Sequence, residues 1–186
     1  MKLSMNRFRR AGLGAIAVLL IGLGADTPPK SHEVGELTFQ TPGEWKSVKP
    51  RSSMSQLQLV IEQVKGDDAE AVLTLSALRA GGGGVEANVK RWQSQFKDEQ
   101  GNPAKLESKT VKGKNVEVTR VETAGHYYPP PFFKEPDQAN YRLLGAIVQT
   151  GTTGYFFKVI GPEKTVAAAR PAFDEMIASI KATEEK

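Results

Sequence analysis

The chain has 186 residues, with 25 Lys+Arg, 21 Asp+Glu, 2 His and no Cys. The lack of cysteine excludes disulfides, thiol catalysis, Cys-ligated zinc, iron–sulfur clusters and a lipoprotein anchor. Residues 1–25 hold four of the bases and no acid, so the rest of the chain has 21 bases and 21 acids. This balance gives no support to nucleic-acid binding, which needs a basic surface to neutralise phosphates.

Residues 1–25 have the pattern of a secretory signal peptide. The bases precede residues 11–25, which are almost entirely apolar or Gly and end in small residues. This run is shorter than the ~20 apolar residues of a comfortable bilayer span. We therefore expect cleavage near residue 24 or 25, and a secreted or periplasmic protein that meets the membrane only through this segment. An uncleaved anchor is the alternative, and the pair Arg9-Arg10 matches a twin-arginine signal only in part.

The rest of the chain is predicted to form one domain. Residues 26–36 are polar and contain prolines, which is typical of a linker. Residues 37–181 are long enough to bury a core without disulfides, and residues 182–186 read as a charged tail.

Alternating apolar residues, separated by turn sequences, predict three β-hairpins. They pair residues 56–64 with 71–77, residues 106–111 with 116–121, and residues 141–150 with 155–161.

The last hairpin differs from the others because both of its strands are nearly continuous in apolar residues. The run over residues 155–161 is interrupted only by Lys158 and glycine. Strands that are apolar on both sides are covered on both sides, so we expect a helical layer on each face of the sheet.

Two segments have helical periodicity. Val85, Val89, Trp92 and Phe96 form one apolar stripe, and residues 166–180 keep a second register through a proline that should kink or divide the helix. Trp92 and Trp45 are expected in the core. About seven strands and two main helices, with hairpins dominant, predict an α+β fold with a mostly antiparallel sheet between helices.

The glycines at 81–84 stand between a strand and a helix, where phosphate-binding loops occur. Here the run continues as Gly-Val-Glu rather than Gly-Lys-Ser/Thr, and Glu86 would repel an anion. We therefore interpret residues 81–84 as a flexible connection.

Ionisable residues give little indication of catalysis. His32 and His126 are the only histidines and lack metal-ligand spacing, so no metal or cofactor is expected. A Ser-His-acid triad would have to use His126, but the sequence has no Gly-x-Ser-x-Gly elbow. The acids at 67, 68 and 70 do not follow a calcium-loop pattern. A hydrolase with paired carboxylates remains an alternative that the sequence does not position.

The most unusual segment is His-Tyr-Tyr-Pro-Pro-Pro-Phe-Phe at 126–133. Three prolines favour a stiff polyproline II conformation, and exposed aromatic rings are typical interface anchors. The rings could also fold back over the core. The candidate binding residues are Tyr127, Tyr128, Phe132 and Phe133, within a loop expected to run from residue 125 to 138.

Three stretches together resemble bacterial secreted proteins of the PsbP-like (Mog/PsbP) family: the helix at 87–96, the strand Tyr-Arg-Leu-Leu-Gly-Ala-Ile-Val at 141–148, and Lys-Val-Ile-Gly-Pro at 158–162 followed by Val166 and Phe173. The resemblance covers residues 37–181 and implies an antiparallel sheet between helices. It also implies binding roles, since PsbP is an extrinsic subunit of the oxygen-evolving photosystem and a eukaryotic relative binds the GTPase Ran. No functional residue of those relatives can be matched to this chain.

The sequence therefore predicts an exported, non-catalytic binding or accessory module that contacts an envelope or extracellular protein, or a small ligand. The alternatives are the carboxylate-dependent hydrolase and a purely structural envelope protein. A deep cleft in which acids converge with His126 would favour the hydrolase. An apolar patch formed by the four aromatic residues would favour the binding module.

Overall fold

The computed structural model describes residues 27–183. The predicted signal segment, residues 1–25, lies outside that range. Of the helices within the range, none has the length and hydropathy required for a bilayer span.

Eleven strands and two α-helices form in the described part of the chain. The strands are β1 Lys30–Val34, β2 Leu37–Thr41, β3 Lys46–Ser47, β4 Ser55–Ile61, β5 Ala71–Arg79, β6 Phe96–Lys97, β7 Leu106–Lys112, β8 Glu117–Tyr127, β9 Gln138–Thr150, β10 Thr153–Pro162 and β11 Lys181–Ala182. The helices are α1 Gly84–Gln93 and α2 Glu163–Ser179, with short 3-10 helices at Ala80–Gly83 and Pro131–Phe133.

Eight strands form the main sheet in the order β3-β4-β5-β10-β9-β8-β6, and β7 also pairs with β8. Its strand pairs are antiparallel, and β4–β5, β7–β8 and β9–β10 are the three predicted hairpins. The predicted α+β class with a mostly antiparallel sheet is confirmed.

The first core lies between the sheet and α2. Tyr155, Phe157 and Val159 alternate along β10 and face this side, where they join a cluster that includes Phe173 and Ile177 of α2. The spacing of the two α2 residues places them on one face of the helix, so one apolar stripe covers the central strands.

The second core lies on the opposite face, under α1. It contains Trp92 of α1 together with Phe156, Leu143 and Ile147 of β10 and β9. Trp92 sits directly over Gly145, whose missing side chain leaves room for the indole. The expected helical layer on each face is confirmed, as is the burial of Trp92 and of Trp45 in the first core.

The prediction that residues 26–36 form a linker is wrong for Lys30–Val34, which form strand β1. Lys30–Val34 pairs antiparallel with β2 in full register, and the ring of His32 stacks on Phe39 with 5.2 Å between centroids. The strand escaped prediction because it carries polar side chains and lies on the outside, so its sequence shows no apolar alternation. The three-stranded sheet β1-β2-β11 also extends the domain beyond residue 181.

Of the kink or division expected at Pro171, the division does not occur, since α2 continues through this residue. Proline removes the hydrogen bond to the carbonyl of Ala167, four residues earlier. Both residues are exposed, so water can satisfy that carbonyl while the opposite face of the helix stays packed.

Candidate functional site

The aromatic–proline segment is divided by the fold into a buried part and an exposed part. β8 continues to Tyr127, three residues further than expected from a loop beginning at residue 125. Tyr127 is only 8% exposed, and its ring lies 5.0 Å from that of Phe96 and 6.1 Å from that of Tyr141. Burial raises the pKa of Tyr127 to about 12. Of the four candidate binding residues, Tyr127 therefore belongs to the second core.

The other three rings of the segment are exposed, and we call them together the aromatic ridge. Tyr128, Phe132 and Phe133 are 39%, 66% and 40% exposed. The two phenylalanines are 4.3 Å apart and lie on the 3-10 helix Pro131–Phe133, which ends at Lys134 in the left-handed conformation. The ridge is thus a short turn stiffened by prolines rather than a lid folded over the core.

We call the segment between β8 and β9, residues 128–137, the ridge loop. His126 connects its two ends. Its Nε2 lies 2.5 Å from Oδ2 of Asp137, which immediately precedes β9, and its ring stacks on Tyr128 at 4.8 Å. The pKa of Asp137 is lowered, chiefly by this hydrogen bond. The ammonium of Lys97 lies 5.0 Å from the Tyr128 ring centroid on the same surface. These contacts give His126 a role in holding the loop.

Beside the ridge, part of the sheet face that carries α1 is left open and forms the floor of a cleft of about 450 Å³. In its floor Gln58, Thr74 and Lys158 lie side by side on β4, β5 and β10, because Thr74 pairs in register with each of the other two. Gly145 follows Lys158 in the same row, under Trp92 of α1. The row shows that α1 covers the β9 end of this face and that the cleft begins where α1 ends.

Two segments distant in sequence form the walls of the cleft. One wall is the ridge loop, which contributes Phe133 and Glu135, and the other is the segment before β4, which contributes Arg51. The guanidinium of Arg51 donates to Glu135 at 3.1 Å, and the backbone N–H of Arg51 donates to Oε1 of Gln58 at 3.0 Å. The ion pair joins the two walls.

Lys158 is the charged residue of this floor, and neither it nor its neighbours in the row were selected from the sequence. It is half-buried, and burial, followed by the nearby charge of Arg91, lowers its pKa to about 8. No hydrogen bond or salt bridge connects its ammonium to another of the residues 27–183. The interruption of an otherwise apolar strand by one lysine was the signal in the sequence that could have indicated it.

The opposite face of the sheet holds a second set of charges. Glu122 of β8 is 6% exposed and accepts hydrogen bonds from Arg120 at 3.1 Å, from Arg142 at 2.5 Å and from Arg170. Arg120 also donates to Asp174 of α2 at 2.5 Å. Every arginine of this cluster has a carboxylate partner, and the one buried atom of the cluster left without a hydrogen bond to the described residues is Nε of Arg142. The cluster therefore joins α2 to the sheet and leaves none of its arginines without a counter-ion.

The remaining candidate motifs have structural roles. In the glycine run, Asn88 of α1 donates to the carbonyl oxygens of Gly82 and Gly84 at 2.9 and 2.6 Å, so the loop that was expected to be flexible is held by defined hydrogen bonds. Asp67 accepts from the backbone N–H and the hydroxyl of Thr165 at 2.7 Å and so caps the first turn of α2. Across the described residues, no three His, Asp or Glu side chains are grouped as a metal site would require.

Comparison with known proteins gives a match in structure and none in sequence. No family profile and no curated protein matches the chain. The solution structure of the cyanobacterial PsbP protein CyanoP from Synechocystis sp. PCC 6803 superposes with a TM-score of 0.54 at 12% identity, covering 91% of this chain and 98% of that one. PA94 from Pseudomonas aeruginosa, of unknown function and described as a putative regulator, gives 0.52 at 10% identity over 84% and 99%.

A third structure, LpqN of Mycobacterium tuberculosis, gives a TM-score of 0.48 at 12% identity over 84% of this chain and 90% of that one. The conclusion about the fold depends on the first two structures, which match over nearly their whole length. The packing of α1 and α2 on opposite faces of an antiparallel sheet is therefore the PsbP-like fold that the sequence motifs indicated.

Proposed function

We propose that this protein is an exported, non-catalytic binding module of the cell envelope that contacts a protein partner through the aromatic ridge. The observation that carries the proposal is the exposure of Tyr128, Phe132 and Phe133 within one six-residue segment. Five large hydrophobic side chains are exposed between residues 27 and 183, and three of them form this ridge. Aromatic rings concentrated in one patch are the usual anchors of protein interfaces.

The construction of the ridge loop also supports a binding role. Three prolines restrict its backbone, and the hydrogen bond between His126 and Asp137 fixes both of its ends. A loop that is already ordered loses little conformational entropy when a partner binds. Most of the free energy gained by burying the apolar surface of the rings would therefore contribute to binding.

The position of His126 favours the module over the hydrolase alternative. A hydrolase of the expected kind would place His126 and carboxylates in one cleft. His126 does not line the cleft, and its Nε2 is already bonded to Asp137. Export is supported by the signal-peptide pattern of residues 1–25.

The proposal is tested by comparing two double variants for affinity capture from envelope extract of the source organism. In the ridge variant, Tyr128→Ser and Phe132→Ser remove exposed rings. In the control variant, Val48→Ser and Met54→Ser remove two exposed apolar side chains outside the ridge. We expect one protein to be enriched by the unmodified chain and the control, and at least tenfold less by the ridge variant. The captured protein is then purified and its affinity for all three forms measured.

Two results would contradict the proposal. Equal affinity of the identified partner for the ridge variant would show that the contact lies elsewhere. A loss of several kcal/mol in the free energy of unfolding of the ridge variant would show that the rings are part of the core.

A further inference from the structure

We propose that the cleft beside the ridge is a binding site for a small organic carboxylate, with the Lys158 ammonium as its counter-ion. This site is separate from the protein contact proposed for the ridge, although Phe133 belongs to both surfaces. The inference rests on three observations. The Lys158 ammonium has no carboxylate partner among the described residues, the cleft around it has the size of a ligand site, and the arginines on the opposite face of the sheet do have carboxylate partners.

The cations on the opposite face of the sheet, unlike Lys158, are paired with carboxylates. Arg120 and Arg142 on the α2 face are each bonded to Glu122 and to one further carboxylate. Lys158 lies on the opposite face, between Phe156 and Ile160 of the same strand, and its ammonium forms no salt bridge with any of the described residues. Partial burial of a charge without a counter-ion is unfavourable, so an anionic ligand in the cleft would gain by pairing with this ammonium.

The composition of the cleft indicates one negative charge on an apolar body. Glu135 is already paired with Arg51, and Glu70 is exposed at the rim, which leaves Lys158 as the unpaired cation of the floor. The floor offers one ammonium with neutral hydroxyl and amide neighbours, and Arg91, whose charge acts on Lys158, donates to Asn88 and does not line the cleft. One ammonium suits a carboxylate better than a phosphate, which usually gathers several donors.

The dimensions agree with a small molecule. A volume of about 450 Å³ lies within the roughly 300–1,000 Å³ typical of ligand sites. Val72 and Ile160 in the floor and Pro129 and Phe133 in the wall supply apolar surface next to the ammonium. Such a combination orients a ligand by its charged end and holds the remainder by burial of apolar area.

The test uses 2-naphthoate and its neutral isostere 2-naphthamide as probes, with binding measured by isothermal titration calorimetry on the mature protein. We expect naphthoate to bind at least tenfold more tightly than naphthamide. Lys158→Met should abolish that preference while keeping the apolar contacts. Lys109→Met, which removes an exposed lysine of the edge strand β7, should leave it unchanged.

Backbone amide NMR shifts provide a second readout that does not depend on the variant folding. Naphthoate should perturb the amides of Lys158 and Thr74 and leave that of Thr110 on β7 unperturbed. Equal affinity for the two probes, perturbations confined to residues outside the cleft, or displacement of naphthoate by equimolar inorganic phosphate would each overturn the proposal.

Failure here is distinguishable from failure of the proposed function. Phe132 does not line the cleft, so Phe132→Ser should keep its naphthoate affinity. If the protein captures its partner but does not bind naphthoate, the proposal for the ridge stands and the proposal for the carboxylate site fails.

Discussion

Replacing Lys158 with Met should stabilise the folded protein at pH 7, and the gain should shrink as the pH rises. The pKa of Lys158 falls from 10.5 to about 8 on folding, mainly through burial. The unfolded chain therefore binds this proton more tightly than the folded chain, so stability increases with pH between about 8 and 10.5. Below pH 8 the folded protein carries the whole unfavourable contribution of a charged, half-buried ammonium.

The expected size follows from the shift. The fall of the Lys158 pKa from 10.5 to about 8 corresponds to about 3 kcal/mol, and the remaining solvent contact of this half-buried side chain reduces it to roughly 1–3 kcal/mol. Met keeps the length of the side chain and removes the charge, so Lys158→Met should gain this amount at pH 7. At pH 10 most of the folded molecules already hold a neutral lysine, and the gain should fall below about 1 kcal/mol.

Urea denaturation at pH 7 and pH 10 measures both values. Tyr127 and Tyr141 have raised pKa values, and they are present in both proteins, as are Arg91 and the other charged groups around the cleft, so their titration largely cancels in the difference. Lys109→Met is the matched control and should change stability by less than about 0.5 kcal/mol at either pH. A Lys158→Met protein that is less stable than the unmodified chain at pH 7, or whose gain does not depend on pH, would refute the reasoning.

Three further predictions concern packing and can be measured by the same denaturation assay. Tyr127→Ala should lose about 3–5 kcal/mol because it empties a core site, whereas Phe132→Ala should change stability by less than about 0.5 kcal/mol. Glu122→Gln should lose about 3–5 kcal/mol, since it removes the carboxylate shared by three arginines. Gly145→Ala should lose about 1–3 kcal/mol, because a Cβ there would lie 2.9 Å from Cε3 of Trp92.

Each of these predictions has a contrary outcome. Equal losses for Tyr127→Ala and Phe132→Ala would mean that the ridge is packed as tightly as the core. A neutral effect of Glu122→Gln would mean that the arginines find other acceptors or reach water. An unchanged stability of Gly145→Ala would mean that α1 can move away from the sheet without loss.

The elements of the main sheet could be predicted from the sequence because their signals are local. Apolar alternation in β4 and β5 and continuous apolar runs in β9 and β10 follow from which faces are buried, and the two-sided burial of β10 indicated the helical layers above and below. The strand β1 could not be found in this way, because its stability comes from pairing with β2 rather than from apolar side chains of its own.

The site could be predicted only in part. A run of aromatic residues and prolines is visible in the sequence, but its division into Tyr127 inside and Phe132 outside depends on how far β8 continues before the chain turns. The cleft depends on where α1 ends over the sheet, and its walls come from segments 84 residues apart in the Arg51–Glu135 pair. Composition and periodicity report the neighbours of a residue along the chain. The environment of Lys158 is set by neighbours across strands, which only the tertiary structure brings together.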